Sequence, residues 1–326
     1  KSLDQPGRYI QACFLDFSKA FDRIDHNILV RKLFNLGVRP ALISWICSFL
    51  AQRKQAVKLN GVISSWLPTT AGVPQGTKLG PILFLLMLND LGLSTQLNCN
   101  YWKYVDDITL SEAPLRGQLP CLQQDLDKIY QWATDNNMLL NPKKCKVMTI
   151  CYFREKPVLP VFTINGTELD SVLSHKVLGL TLQSDLRWNV HIESVISKAC
   201  KRLYILRVLR RSGVSVTDLT TVYVTLIRSL LEYGCLVWHS SLPACLSDKL
   251  EYIQKRALRI ILPKFAYILA LETLNLPSLF SRREGLCNKG FSSFVNFENP
   301  RFMSLLPPRR RDTNSRLTSL RCSSRF

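Results

Sequence analysis

Hydrophobic and polar positions follow two rhythms along this chain, and the rhythm changes near residue 189. Residues 10–17 carry Ile10, Cys13, Phe14 and Leu15 in a short apolar run, which predicts a buried strand ending at Asp16 and Phe17. Across 25–36 the apolar positions Ile28, Leu29, Leu33 and Leu36 recur at helical spacing, and Gly37 supplies a stop. Pro40 opens a second helix bearing Leu42, Ile43, Ile46, Phe49 and Leu50. Residues 55–59 and 62–67 flank Asn60-Gly61, a hairpin signal because both residues tolerate positive φ. A glycine-rich loop over 72–80 precedes an apolar helix over 81–91, and two short strands over 100–109 surround Val105-Asp106-Asp107. Leu122, Leu126, Ile129 and Ala133 set one face of a helix. Residues 146–152 read as a strand, and Asn165-Gly166 marks another hairpin between 161–164 and 167–169.

Beyond about residue 189 the period is helical. Ile192, Val195, Ile196, Ala199, Leu203 and Leu206 form one stripe, with Lys198, Lys201, Arg202 and Arg207 largely off it. Leu219, Val222, Leu226 and Leu230 mark a second helix. Leu250, Ile253, Ala257 and Ile260 mark a third, which also carries Lys255, Arg256 and Arg259. The pattern predicts an α+β unit followed by a helical one. From about Lys264 the chain reads as a basic tail, partly disordered, ending in Pro307-Pro308-Arg309-Arg310-Arg311 and a Ser/Arg-rich stretch.

The chain has 326 residues, 47% of them hydrophobic, enough for a sizeable core and more than one domain. Its formal net charge of +19 says little about fold and points to nucleic acid as partner, because Lys and Arg neutralise phosphate. The eleven cysteines are scattered singly and the four histidines lie far apart, so zinc-site spacing is absent. The cysteines read as small buried apolar residues of a reducing compartment. The longest apolar run, residues 82–88, is too short to cross a bilayer, and no membrane partner is expected.

Two segments concentrate carboxylate at predicted strand ends: Phe14-Leu15-Asp16-Phe17-Ser18-Lys19-Ala20-Phe21-Asp22 and Tyr104-Val105-Asp106-Asp107. Adjacent ionised aspartates repel unless a cation sits between them. Magnesium takes carboxylate oxygens and substrate phosphates together. Two such ions roughly 3.5–4 Å apart stabilise the attacking and leaving oxygens of phosphoryl transfer. Taken singly, each segment has a plainer reading, as a solvated turn or a strand followed by a helix cap. A third segment is Ala71-Gly72-Val73-Pro74-Gln75-Gly76-Thr77-Lys78-Leu79-Gly80-Pro81. Pro74 fixes the backbone, the glycines permit close approach by nucleotide or template, and the amides opening the next helix suit phosphate. Alone, it too reads as a turn.

In this order the three resemble motifs A, B and C of reverse transcriptases: Asp16 with Ala20-Phe21-Asp22, then Gly72-Val73-Pro74-Gln75-Gly76, then Tyr104-Val105-Asp106-Asp107. Leu139-Leu140-Asn141-Pro142-Lys143-Lys144-Cys145 resembles motif D, and Val177-Leu178-Gly179-Leu180 the hairpin of motif E. The wording is most similar to the non-LTR retrotransposon branch, LINE-like and jockey-type. Leu231-Glu232-Tyr233-Gly234 with Trp238 resembles the thumb of such elements. The resemblance implies an α+β fold: a right-hand polymerase palm, an antiparallel sheet packed on helices, followed by a helical thumb. The implied divisions are a palm with partial fingers over 1–157, the motif-E-like hairpin region over 158–188, a thumb over 189–263 and the tail over 264–326.

By that resemblance Asp16 and Asp106 hold two Mg2+ ions, with Mn2+ able to substitute. Asp107 supports them and the backbone carbonyl of Phe17 adds a ligand. The primer 3′-hydroxyl attacks the α-phosphate of a dNTP. Phe21 stands five residues after Asp16, where an aromatic beneath the sugar excludes a ribose 2′-hydroxyl; a core aromatic is the alternative. Asp22 either touches the sugar region or caps the following helix. Gln75 and Gly76 position the dNTP and the template. Lys144, with Lys143 competing, donates a proton to pyrophosphate or contacts phosphate, against a solvated turn. Lys198, Lys201, Arg202, Lys255, Arg256 and Arg259 are candidate contacts to template–primer phosphates, against solvated helix faces. Arg309, Arg310 and Arg311 are candidates for loose RNA or DNA binding.

The implied activity is that of an RNA-directed DNA polymerase in target-primed copying at a genomic nick. It would use an RNA template, a DNA primer and dNTPs, in the nucleus with a cytoplasmic ribonucleoprotein stage. Fifteen residues precede Asp16, so most of the fingers and an endonuclease domain are expected upstream in a longer element protein. A catalytically inactive nucleic-acid-binding remnant is the competing reading. An intron maturase is a third, disfavoured by the thumb phrase and by the lack of a visible maturase segment.

Overall fold

Ile10–Leu15 is almost wholly apolar and forms β1, the middle strand of a five-stranded sheet in the computed structural model. The structure describes residues 3, 6–92, 97–155 and 157–296. After β1 come α1 (His26–Asn35) and α2 (Pro40–Leu50). Two short nested pairs follow, β2 (Lys54–Gln55) with β5 (Leu67–Pro68) around β3 (Lys58–Leu59) with β4 (Val62–Ile63). Then come α3 (Leu79–Met87), β6 (Asn100–Tyr104), β7 (Asp107–Glu112), α4 (Leu122–Asp135) and β8 (Lys146–Ile150). The pair β9 (Thr163–Ile164) and β10 (Thr167–Glu168), then β11 (Asp170–Ser171), lead to the hairpin of β12 (Ser174–Val177) and β13 (Leu180–Gln183). The large sheet runs β11-β8-β1-β7-β6; β1 is antiparallel to both neighbours and β11 is parallel to β8.

β1 is covered on both faces, which is why it reads as an unbroken apolar run rather than an alternating one. Cys13 and Leu15 join the main core with Leu29 of α1, Phe84 of α3 and Ile129 of α4. Ala12 and Phe14 pack with Met148 and Ile150 on the other face, against Val177 and Leu182 of the β12–β13 hairpin.

Asp25 caps α1 by accepting from the amides of Asn27 (2.9 Å) and Ile28 (3.0 Å), and Gly37 ends it at φ 75°. The expected Asn60-Gly61 turn closes β3 onto β4, with φ of 50° and 87°. α3 starts at Leu79, two residues before the expected start, because Thr77 Oγ1 accepts from the Gly80 amide (3.1 Å) and Pro81 fits a first turn that needs no donor. It ends at Met87 rather than 91, passing into a turn in which Leu91 N–H bonds to the Leu88 carbonyl at 3.2 Å.

The chain divides into two compact units, Lys1–His191 and Ile192–Phe326. The second begins within α5 (Asn189–Arg211) and holds α6 (Val216–Val222), a π-helical turn at Tyr223–Arg228, α7 (Ser229–Glu232), α8 (Cys235–Trp238), α9 (Ala244–Ile261), α10 (Tyr267–Thr273) and α11 (Leu279–Asn296). On α5 the predicted stripe is buried except for the half-buried Ile196. The second helix departs from expectation. Leu219 is buried, but its companions are Tyr223, Ile227 and Leu231, while Leu226 is 42% exposed. The π turn is the reason: it widens the helical step, so burial repeats every fourth residue instead of drifting back to 222, 226 and 230.

The reading of a tail from Lys264 also needs correction. Residues 267–273 and 279–296 are α10 and α11, packed on α9 and α8, with Ala270, Leu279 and Arg283 buried. Here periodicity of a few apolar anchors outweighs a basic composition. Residues 307–326, with the arginine run, lie outside the described residues. Among the described residues no helix is long and apolar enough to cross a membrane.

Candidate active site

The β1–β7 ladder ends with Leu15 opposite Ile108. The next residue on each strand is an aspartate, so the register sets Asp16 and Asp107 facing each other at the sheet's end. Both line a cavity of about 260 Å³ with Thr109, Lys144, His175 and Lys176. Asp16 Oδ2 is buried and has no hydrogen-bond partner; Lys144 Nζ stands 3.6 Å away, an ion pair too long to be a hydrogen bond. A carboxylate oxygen is thus withdrawn from water with little to offset it. The Asp107 carboxyl is pushed above its usual range, first by partial burial and then by the charges of Asp106 and Asp16. A divalent cation would satisfy the orphaned oxygen and relieve the repulsion, so this donor chemistry fits magnesium. Asp106 itself does not line the cavity. Tyr104 pairs with Asp107, leaving Val105-Asp106 as a two-residue turn in which β-branched Val105 takes φ 54°, a strained value. Among the described residues no three His, Cys, Asp or Glu side chains gather closely enough to hold an ion.

Residues 139–145 fix the backbone on either side of Asp16. The Asp16 carbonyl accepts from the Asn141 amide (2.9 Å), and the Ser18 amide donates to the Leu139 carbonyl (2.7 Å). Phe17, buried, bridges to Leu140, and the Asp16 amide donates to Cys145 Sγ at 3.4 Å. This places Lys144 at the cavity; Lys143 is exposed, and its carbonyl accepts from Lys146 Nζ (2.8 Å).

The glycine loop is built onto the segment that follows Asp16. Gly72 N–H donates to the Ile24 carbonyl (2.8 Å) and Val73 N–H to the Phe21 carbonyl (2.9 Å). Gly72 has φ 78°, and a Cβ there would sit 2.7 Å from the Asp22 backbone, so only glycine fits. Gln75, exposed, donates from Nε2 to Asp22 Oδ1 at 3.3 Å, and exposed Gly76 has φ 81° with open space around it. Phe21 is half-buried and stacked on Phe84 with centroids 4.5 Å apart, so it is anchored in the core while part of its surface stays open. Asp22 does not cap the next helix; Asp25 does.

The basic residues of the second unit separate into two kinds. Lys198, Lys201, Lys255 and Arg259 are exposed, with Lys255 Nζ 5.3 Å from the Tyr267 ring centroid. Arg202 donates to the Leu226 carbonyl in the π turn, and Arg256 donates to Cys200 Sγ (3.5 Å) with its guanidinium over Tyr252. Both are tied into their own unit.

Sequence reasoning missed His175 and Lys176, which line the carboxylate cavity; the His175 ring stacks on Phe14 at 4.3 Å. It also missed His26 and Arg53, which contact the carbonyls of the glycine loop. Arg53, His175 and Lys176 carry no motif signal; His26 stands within the stretch 14–29 that resembles the family, but like theirs its role depends on contacts across 18 or more residues.

Residues 1–182 match the family model described as reverse transcriptase (RNA-dependent DNA polymerase). The chain is 29% identical over 266 residues to the RNA-directed DNA polymerase from mobile element jockey of Drosophila melanogaster, covering 78% of this chain and 28% of that protein. It is 30% identical over 264 residues to the jockey protein of Drosophila funebris, with 78% and 28% covered. It is 28% identical over 265 residues to the probable RNA-directed DNA polymerase from transposon BS of Drosophila melanogaster, with 78% and 29% covered. The chain therefore spans under a third of the length of these relatives. The solved apo telomerase from Candida tropicalis aligns at a TM-score of 0.43 and 13% identity, over 95% of this chain and 53% of that one. Because the family match covers residues 1–182, more than half of the chain, with both strand-end aspartates and the loop between them, the chain belongs to the reverse transcriptase (RNA-dependent DNA polymerase) family.

Proposed function

We propose that this chain forms the nucleotidyl-transfer centre of an RNA-directed DNA polymerase of a non-LTR mobile element. The observation that carries the reading is the facing pair Asp16 and Asp107, with a buried carboxylate oxygen left unsatisfied, beside a glycine loop tied to the same segment. Asp16 and Asp107 would hold magnesium, with Asp106 of the adjoining turn adding its charge beside them, and magnesium when bound would activate the primer hydroxyl and neutralise charge on the phosphates. The primer 3′-hydroxyl gives up its proton to water, its oxygen bonds to the α-phosphorus of a dNTP, and the bond from that phosphorus to the β-phosphate bridging oxygen breaks, releasing pyrophosphate.

Lys144, whose Nζ lies 3.6 Å from Asp16, would neutralise or protonate that leaving group. Gln75 and Gly76 would position the nucleotide, and Phe21, held by Phe84, would close the space a ribose 2′-hydroxyl needs. Lys198, Lys201, Lys255 and Arg259 would contact template–primer phosphates. The natural setting we infer is target-primed reverse transcription in the nucleus after a cytoplasmic ribonucleoprotein stage. Its partners would be an RNA template, a DNA primer, and the fingers and endonuclease domains of a longer element protein; the relatives' lengths support the longer protein.

The test is primer extension on an RNA template with magnesium and dNTPs, comparing this chain, its Asp16→Asn and Asp106→Ala variants, and a version joined to upstream fingers. Synthesis abolished in both variants is the expected result. Salt-sensitive nucleic-acid binding with no synthesis in any form would leave the inactive nucleic-acid-binding reading instead.

A further inference from the structure

The carbonyl of Gly72 is held by two side chains that belong to neither carboxylate segment. His26 Nε2 lies 2.8 Å from it, and Arg53 donates to it from the nitrogen that also reaches the Ala71 carbonyl at 3.1 Å. The 2.8 Å contact requires a hydrogen on His26 Nε2, since two lone pairs would repel at that distance. The Gly72 oxygen therefore accepts from two donors, one of them charged.

Arg53 is itself anchored on two sides. Its Nε donates to the Leu50 carbonyl at the end of α2 (3.1 Å), and its own carbonyl accepts from the Thr69 amide (2.8 Å) beyond β5. A single residue thus joins the end of α2, the stem of the β2–β5 pair and the start of the glycine loop. On the loop's other side the Gly72 and Val73 amides are bonded to the Ile24 and Phe21 carbonyls. Gly72 is consequently gripped through both its amide and its carbonyl. The next turn of the chain carries Gln75, bonded to Asp22, and Gly76.

We propose that His26 and Arg53 are positioning residues for nucleotide binding: by clamping the Gly72 carbonyl they set where Gln75 and Gly76 stand. This rests on the polymerase reading, in which that loop meets the dNTP. Neither residue need touch substrate. Pro74 limits the backbone between the clamp and Gln75, so displacement at Gly72 is passed on rather than absorbed.

The test has two readouts on the same proteins: single-nucleotide incorporation on an RNA template, and hydrogen exchange at the amides of the 72–76 loop, those of Gly72, Val73, Gln75 and Gly76. The set is the parent chain, Arg53→Ala, Arg53→Lys, His26→Ala and His26→Gln. Arg53→Ala should raise KM for dNTP about tenfold, the worth of one charged hydrogen bond, with kcat within about twofold. Exchange at 72–76 should quicken while β1 and the middle of α1 keep their protection. His26→Gln, which keeps a donor, should lie nearer the parent than His26→Ala. Unchanged exchange at 72–76 in both alanine variants, or a drop in kcat with KM intact, would overturn the clamp. A parent that binds template–primer but adds no nucleotide would defeat the polymerase reading alone, and exchange would still decide whether the clamp orders the loop.

Discussion

Asp16 and Asp107 face each other one residue beyond the last paired rung of β1 and β7, and partial burial, then the charges of Asp106 and Asp16, raise the cost of ionising Asp107. That relationship is set by register. A one-residue slip of either strand would turn one carboxylate to the opposite face of the sheet. The strained Val105 turn fixes the neighbouring register, that of β6 on β7, by leaving Tyr104 and Asp107 as the closing pair.

The glycines of the loop should differ sharply. Gly72→Ala places a Cβ 2.7 Å from the Asp22 backbone and is expected to cost at least about 3 kcal/mol, because the clash adds to the strain of positive φ. Gly76→Ala has open space and should cost only about 1 kcal/mol, from φ alone. Urea unfolding of the two variants measures this, and equal destabilisation would contradict the close approach at Gly72.

Acid should weaken α1 through its cap. The Asp25 carboxyl is held below its usual value of 3.8, first by the Ile28 amide, with the Asn137 side chain also contributing. A depressed folded value means the stabilisation is present above pH 3.8 and is lost as pH falls below it. Asp25→Ala is expected to cost about 1 kcal/mol near neutral pH. Asp25→Asn should keep most of that stability and lose the acid dependence; thermal melts between pH 2.5 and 7, about the range the linkage spans, compare the three proteins.

Phe21→Ala should admit ribonucleotides. Removing the ring opens the space above Phe84 that a 2′-hydroxyl would need, so incorporation of NTP relative to dNTP should rise by about tenfold or more. Competition between the two nucleotides in primer extension reads this directly. An unaltered ratio would leave Phe21 as a core aromatic only.

The basic residues of the helical unit should divide according to how each side chain is engaged. Lys198→Ala, Lys255→Ala and Arg259→Ala each remove an exposed cation and should lower the slope of log affinity against log salt by about 1 for every phosphate left without its cation. Arg202→Ala should instead lower the melting temperature and leave the slope nearly intact, because its guanidinium is engaged with the Leu226 carbonyl. Filter binding across a salt series, with melting curves alongside, separates the two outcomes.

Local chemistry made most of this protein readable from its residues. A strand buried on both faces must be apolar throughout, so Ile10–Leu15 was visible. Asp25 and Gly37 mark α1 because caps are short-range, and Asn60-Gly61 and Asn165-Gly166 mark hairpins because few residues accept positive φ. The facing aspartates were visible as strand ends, and the glycine loop as a turn between them. Interactions over long separations were decided only by the tertiary structure. The Gly72 carbonyl is met by residues 46 and 19 positions away, and no pattern near His26 or Arg53 announces it. Asp107 rather than Asp106 shares the cavity with Asp16 because pairing register, not order in the chain, sets which carboxylate lies opposite it. The π turn shifted a helical stripe from 222, 226 and 230 to 223, 227 and 231, since one widened step alters the phase of everything after it. Sequence determines what each segment prefers within a few residues; which side chains then share a cavity or a carbonyl depends on how those segments fill space together.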